Sequence, residues 1–424
     1  MKTKWLLFVL ILSSILISQC DLIDIVDDNP PVENHNVGDT LWIHHLPQGE
    51  VTHYISGPLA MGTDGTIYYE AGGHGWNGTN WDPVQIYAVN KSDGSLKWKS
   101  APLMSWHKNG ETIMVGDKGN IYVSSEYKLY SINPSDGSFN WVWEVPKTLT
   151  DANGKEVWTY GKLGYMCLTN NNDVVIKTMG AGFYQRAYYC LSSDKTIKWI
   201  IFNDISSSSH MSIGKDGNIY DVTTIDNIYV LTSRNPDNGA LNWSLPVSVN
   251  EGTNNITFTE KGDIITFTAY DTLSRINPSN KHIVWKHHVS TSKPKYISLN
   301  GNIYVWNAYD GWYVVNPSNG TTSLIDNHIP SDDLNIDEKK QFYGTYNDWH
   351  PYLLVTDNQG NEIWKTQMEL DKSTITIANN AVYFRASDNG QESIFALQTD
   401  ANLTHSGWPR FSHDNRNTWN FNKW

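Results

Sequence analysis

From about residue 59 onward the apolar residues come in short runs broken by Gly, Asn and Asp, and no stretch holds the period of a long amphipathic helix. The segments MGTDGTIYY, VGDKGNIYV, LTNNNDVVI, IGKDGNIYD, FTEKGDIIT, ISLNGNIYV, IDEKKQFYG and IANNAVYF each read as a strand, a tight two-residue turn and a second strand. Gly, Asn and Asp tolerate the positive φ that such turns demand. A third strand follows each pair: IYAVN, LYSIN, YYCLS, IYVLT, LSRIN, WYVVN, LLVTD and IFALQ. After another turn comes a fourth, centred on Trp98, Trp141, Trp199, Trp243, Trp285 and Trp364 in six of the copies. The unit occurs eight times, at intervals of about 37 to 47 residues. Four short antiparallel strands at this period are the mark of a propeller blade, so the predicted fold is an all-β, eight-bladed β-propeller.

The ends of the repeat predict how the ring closes. A Gly stands four residues before the fourth-strand Trp or its substitute in five copies: Gly94–Trp98, Gly137–Trp141, Gly239–Trp243, Gly320–Leu324 and Gly360–Trp364. The same spacing occurs at Gly38–Trp42, where no blade precedes it, whereas the last copy loses it in TDANLTHSGW. Residues 40 to 46 are therefore expected to serve as the outer strand of blade eight and remove the open edge. A Trp recurring once per blade at that strand is expected to pack between neighbours.

Composition agrees with this reading. Nineteen Trp and 23 Tyr with 18% charged residues suit a chain whose large aromatics supply buried surface. A net charge of -13 without a basic cluster works against a nucleic-acid partner. Lys2 and Lys4, the apolar run from Trp5 to Ile17 and the stretch Leu16-Ile17-Ser18-Gln19-Cys20 resemble a bacterial lipoprotein signal, with residues 1–19 removed and Cys20 lipidated. Gln19 departs from the small residue usual before the Cys. Residues 20–37 are acidic and aperiodic and read as a tether, 38–410 as the propeller, and 411–424 as a tail packed on or near it. The implied location is the outer membrane or cell surface, with the lipid as the membrane contact.

The repeat IYAVNKSDGSLKW, with its relatives LYSINPSDGSFNW and IYVLTSRNPDNGALNW, resembles the PQQ-like (pyrroloquinoline quinone-like) propeller family over roughly residues 38 to 410. Within that family, an exported lipoprotein without further domains resembles the propeller lipoprotein of the outer-membrane β-barrel assembly machinery. That resemblance implies a non-catalytic, protein-binding scaffold. GWPRFSHDNRNTW, residues 407 to 419, resembles a Trp-Pro-x-Phe-x-His-Asp segment flanking such propellers in bacterial surface proteins; His413 and Asp414 are read as tail-packing residues before metal ligands.

The family name also covers quinoprotein dehydrogenases, which resemble one another in a vicinal Cys pair beneath the quinone and in calcium ligands. This chain has no Cys-Cys pair, and Asp64, Asp93, Asp136 and Asp216 sit in turns that explain them. Neither cofactor nor metal is expected. Cys167 and Cys190 fall in the first and third strands of blade three, about 10 Å apart across two strand spacings, beyond the roughly 7 Å reach of a disulfide. Both are expected to be free, buried thiols.

In a propeller the second-to-third-strand and blade-to-blade connections share one face, and the tight turns share the other. Here the first face carries the long connections and most aromatics that the repeat does not demand: His74, Trp76, Trp81, Trp106, His107, Trp158, Tyr184, Trp349 and His350. This is the candidate binding face, for an envelope protein or alternatively a glycan.

Overall fold

The computed structural model describes residues 35–46, 59–72, 84–103, 113–150, 154–159, 161–179, 186–203, 210–248, 256–269, 271–289, 296–299, 302–307, 311–325, 332–346, 352–366, 368, 375–405, 410, 413–414, 416–418 and 420–424. Eight four-stranded antiparallel sheets follow one another along residues 37–424. Blade one comprises Ala60–Met61, Ile67–Gly72, Val84–Val89 and Leu96–Lys99, and blades two to seven repeat the order at 114–144, 162–203, 212–246, 257–288, 296–324 and 332–365. Each fourth strand is an outer edge with most residues exposed or half-buried, whereas the second and third strands are buried almost throughout, as Leu96–Lys99 against Ile67–Gly72 and Val84–Val89 illustrates.

Blade eight holds only Thr376–Ala378, Ala381–Asp388 and Gln391–Gln398 from its own sequence, and Thr40–His45 pairs antiparallel with the last of these. The N-terminal strand thus closes the ring, as the orphan Gly-x-x-x-Trp spacing predicts.

The repeated Trp is an inter-blade latch. The indole N–H of Trp42 donates to Lys91 O, Trp98 to Pro134 O, Trp141 to Ser193 O, Trp199 to Pro236 O and Trp285 to Pro317 O, each at 2.8 Å and each in the turn before the next blade's fourth strand. The same turn supplies the ring's seat. A Cβ on Gly94 would lie 2.4 Å from the Trp42 ring, and one on Gly137 2.5 Å from Trp98. Both glycines also sit at positive φ, so the residue that permits the turn also clears space for the neighbouring indole. Blade six carries Leu324 at the Trp position, and it is exposed.

One sequence expectation is corrected. The turn between first and second strands is a three-residue loop in blades one to five and seven: Gly62 N–H donates to Thr66 O and Gly65 N–H to Gly62 O, with Gly65 at φ +82°. An extra residue in the left-handed region matches the strand twist in the way a two-residue turn does, and the two signals look alike in sequence. Blade eight keeps the two-residue form at Asn379 and Asn380, both at positive φ between paired Ala378 and Ala381. Asp64, Asp93, Asp136 and Asp216 each accept the backbone N–H two residues on, the turn role expected of them.

Candidate functional site

Trp158 is the one residue of the candidate binding face that lies among the described residues; His74, Trp76, Trp81, Trp106, His107, Tyr184, Trp349 and His350 lie outside them, as does Cys20. The connection between blades two and three folds into a hairpin of Thr148–Thr150 and Glu156–Trp158. Thr159 secures its base by donating its hydroxyl to Pro146 O and its N–H to Lys147 O. Strand alternation then turns Val157 inward, where it is buried, and Trp158 outward, where it is 58% exposed. An indole held on a pinned hairpin loses little entropy when a partner covers it.

A second arrangement was not anticipated. Lys177 in Val174–Met179 of blade three and Asp221 in Ile219–Ile225 of blade four meet across the blade interface, with Nζ 3.2 and 3.4 Å from the two carboxylate oxygens. Their side chains are 1% and 2% exposed. The Tyr188 hydroxyl donates to the same carboxylate at 2.5 Å, and the Arg234 guanidinium lies 5.9 Å from the Tyr188 ring centre. Burial lowers the Lys177 pKa while the Asp221 charge opposes that shift. Burial first, and the Lys177 charge second, hold His210 well below its ordinary value, so its imidazole is neutral at pH 7; its ring centre lies 3.8 Å from that of Tyr165, the two rings tilted by 47°.

The pair and its polar neighbours are buried beside an apolar cluster that includes Val175, Met211 and Ile213. Removing one partner from so buried a pair costs about 3–5 kcal/mol, because the other charge is stranded. The visible signal in the sequence is a single charge within an otherwise uncharged second strand, as in VVIKTM and IYDVTTI.

Cys167 and Cys190 are free and buried, on strands that flank Val175 from either side. Burial raises both thiol pKa values, that of Cys190 to about 12, which keeps them protonated and unreactive. Among the described residues no three His, Cys, Asp or Glu side chains gather as a metal site.

The C-terminal segment forms the third feature. Leu403 bridges Asp337 of blade seven, Arg410 reaches Thr376 of blade eight, and residues 416–418 and 420–423 lie against the inner-strand ends of blades two, three and four. Phe421 meets Phe258 of blade five edge-on at 6.2 Å. Asp414 organises the segment locally: its carboxylate accepts the N–H groups of Arg416 and Thr418 and the Thr418 hydroxyl. His413 is fully buried, its ring 4.3 Å from that of Trp424, so both residues occupy packing positions.

The sequence model of the family described as outer membrane protein assembly factor BamB matches residues 83–325, more than half of the chain. No curated protein matches the sequence. Among solved structures, BamB from Moraxella catarrhalis is similar at a TM-score of 0.53 and 12% identity, covering 83% of this chain and 99% of that one. The quinohemoprotein alcohol dehydrogenase from Comamonas testosteroni aligns at a TM-score of 0.55 and 11% identity over 86% of this chain and 77% of that one. The C-terminal WD40 domain of Sif2 aligns at 0.58 and 8% identity, covering 86% and 99%. At such identities these structures share a fold with this chain and nothing narrower.

Proposed function

Because the chain belongs to the family of the outer membrane protein assembly factor BamB, we propose that it is a non-catalytic propeller of the cell envelope that works as a protein-binding scaffold. The family match over residues 83–325 is the observation that carries this reading. The chemistry of the interior is compatible with it: Lys177 and Asp221 neutralise one another and the two thiols are inert. The likeness to a quinohemoprotein dehydrogenase extends to the fold, and the separated positions of Cys167 and Cys190 do not reproduce a vicinal pair. Lipidation at Cys20 would hold the ring at the outer membrane or cell surface through the tether.

The working surface in this proposal is the face of long connections, with Trp158 as its exposed anchor. The same exposed indole supports an alternative reading as a glycan-binding surface lipoprotein, since sugars stack on such rings. Capture of partners from envelope extract by the mature protein, identified by mass spectrometry, tests the scaffold reading. Trp158→Ala should retain the wild-type melting temperature and lose capture by at least several-fold. Capture of nothing but soluble glycan would favour the alternative, and undiminished capture would move the interface away from Trp158. Fatty-acid labelling that disappears in Cys20→Ala tests the anchor.

A further inference from the structure

The inner strands of several blades are very short, two residues each in blades one, two, four and five, and they form the inner edge of their sheets. An edge strand presents N–H and C=O groups that need partners. The C-terminal segment meets them in a repeating way. In blade two, Val115 N–H donates to Arg416 O at 3.0 Å and the Asn417 amide donates to Ile113 O at 3.0 Å. In blade three, Leu168 N–H donates to Thr418 O at 3.0 Å and the Asn420 amide to Leu168 O at 2.7 Å. In blade four, Phe421 N–H donates to Ile213 O at 3.0 Å and the Asn422 amide to Gly214 O at 3.0 Å. Each blade thus receives one main-chain bond and one asparagine amide.

The flanks add charge. Asp117 in the blade-two turn accepts Lys423 Nζ at 2.6 Å and Arg416 at 2.8 Å. Asn417, Thr418 and Asn420 are completely buried although all are polar. A segment whose Asn417, Thr418 and Asn420 side chains are buried, and whose described residues make only an isolated bridge between Asn420 and Ile213, is held as a bound peptide is held, by matched donors and acceptors. We propose that the inner-strand ends of blades two to four form a docking site for a linear peptide of the pattern Asn-x-x-Asn-x-Asn-Lys, that residues 416–423 of this chain are its resident occupant, and that the segment is exchangeable and can be supplied by a second copy.

The test uses the full chain with a protease site placed within residues 406–409, cut after folding, and a fluorescent synthetic peptide of residues 410–424. The cut segment should co-elute with the ring, and excess labelled peptide should replace it. A peptide carrying Asn420→Ala should bind at least tenfold more weakly, because a buried carbonyl loses its donor. In the uncut chain, wild-type peptide should be excluded, and Asn417→Ala with Asn420→Ala in the chain should admit it. Folded cut protein that takes up no peptide would overturn the proposal. So would uptake indifferent to Asn420, or a ring that unfolds on cutting, since the segment would then be part of the fold and no ligand.

Discussion

The two ends of the chain both tie the ring together, by opposite means. The N-terminal strand Thr40–His45 lies in one blade, bonded along its length to residues 393–397, and plants one large indole on the next blade. Among the described residues the C-terminal segment forms no ladder with a blade; it distributes single main-chain bonds and side-chain bonds over several blades and buries the polar side chains of Asn417, Thr418 and Asn420. The first closure is made of the repeat itself and draws on apolar burial, which is insensitive to which blade lies beside it. The second is assembled from individually placed donors, and each must find its own acceptor. The difference teaches that strength and specificity of closure are divided between the two ends.

The largest effect should come from the N-terminal side. Trp42 occupies the same seat as Trp98, over a glycine and against a carbonyl of the following turn. Trp42→Ala should therefore cost about as much as Trp98→Ala, on the order of 3–5 kcal/mol. Deletion of residues 40–46 should cost more, because it also frees the edge of Gln391–Gln398. Thermal or denaturant melting of the three variants checks the order. A deletion variant that melts with wild type would mean that blade eight is stable with three strands, and the comparison would collapse.

A smaller effect is expected at the C-terminal end. Asn420→Ala leaves Leu168 O without its amide donor in a buried setting, and should cost about 1–3 kcal/mol. Asn422→Ala is the useful neighbour, since that residue is exposed and water can replace its amide. It should cost less than 1 kcal/mol. Equal losses at the two positions, measured by denaturant midpoints at constant slope, would show that the segment acts as a rigid block.

How much of this was legible follows from the same contrast. The closing strand copies the Gly-x-x-x-Trp spacing of the blades, so Gly38 and Trp42 announce it. The C-terminal anchors copy nothing: Asn417 and Asn420 have no period, and their acceptors are main-chain carbonyls, which have no sequence. Lys177 and Asp221 are half visible, as single charges inside otherwise uncharged strands, but strand alternation alone does not say that residues 44 positions apart meet across a blade interface. The sequence pattern does not separate a two-residue from a three-residue turn, because Gly, Asn and Asp serve both loop lengths. For the binding face, the outward direction of Trp158 follows from the alternation of its hairpin, whereas exposure of an aromatic in a long connection depends on contacts that no local pattern encodes.

The finest test of the contrast is the pH dependence, because the C-terminal segment is flanked by two aspartates shifted in opposite directions. At blade seven, where Leu403 bridges Asp337, burial raises that carboxyl to about 6, against the backbone N–H of Gln341, the Tyr343 hydroxyl and the N–H of Lys339, which favour the ionised form. At blade two, burial also pushes Asp117 up, but Lys423, Asn172 and Arg416 donate to it and outweigh burial, holding it at about 2. The ordinary value is near 4. Between about pH 4 and 6 the folded protein retains a proton on Asp337 that the unfolded chain has released, so stability falls as pH rises through that window. Asp337→Asn should abolish this slope and raise the melting temperature above pH 6, since the amide oxygen can still accept the N–H groups of Lys339 and Gln341. Asp117 behaves inversely: its contribution is present above about pH 4 and is lost as pH falls toward 2. Its side chain is 45% exposed, so solvent screens the pair and this is the smaller effect. Melting curves from pH 2 to 8 should therefore lose their acid limb partly in Asp117→Asn and their slope between pH 4 and 6 in Asp337→Asn. Variant profiles that run parallel to wild type throughout would mean that neither carboxylate is coupled to folding, and that the segment is held by its asparagine amides and aromatic contacts alone.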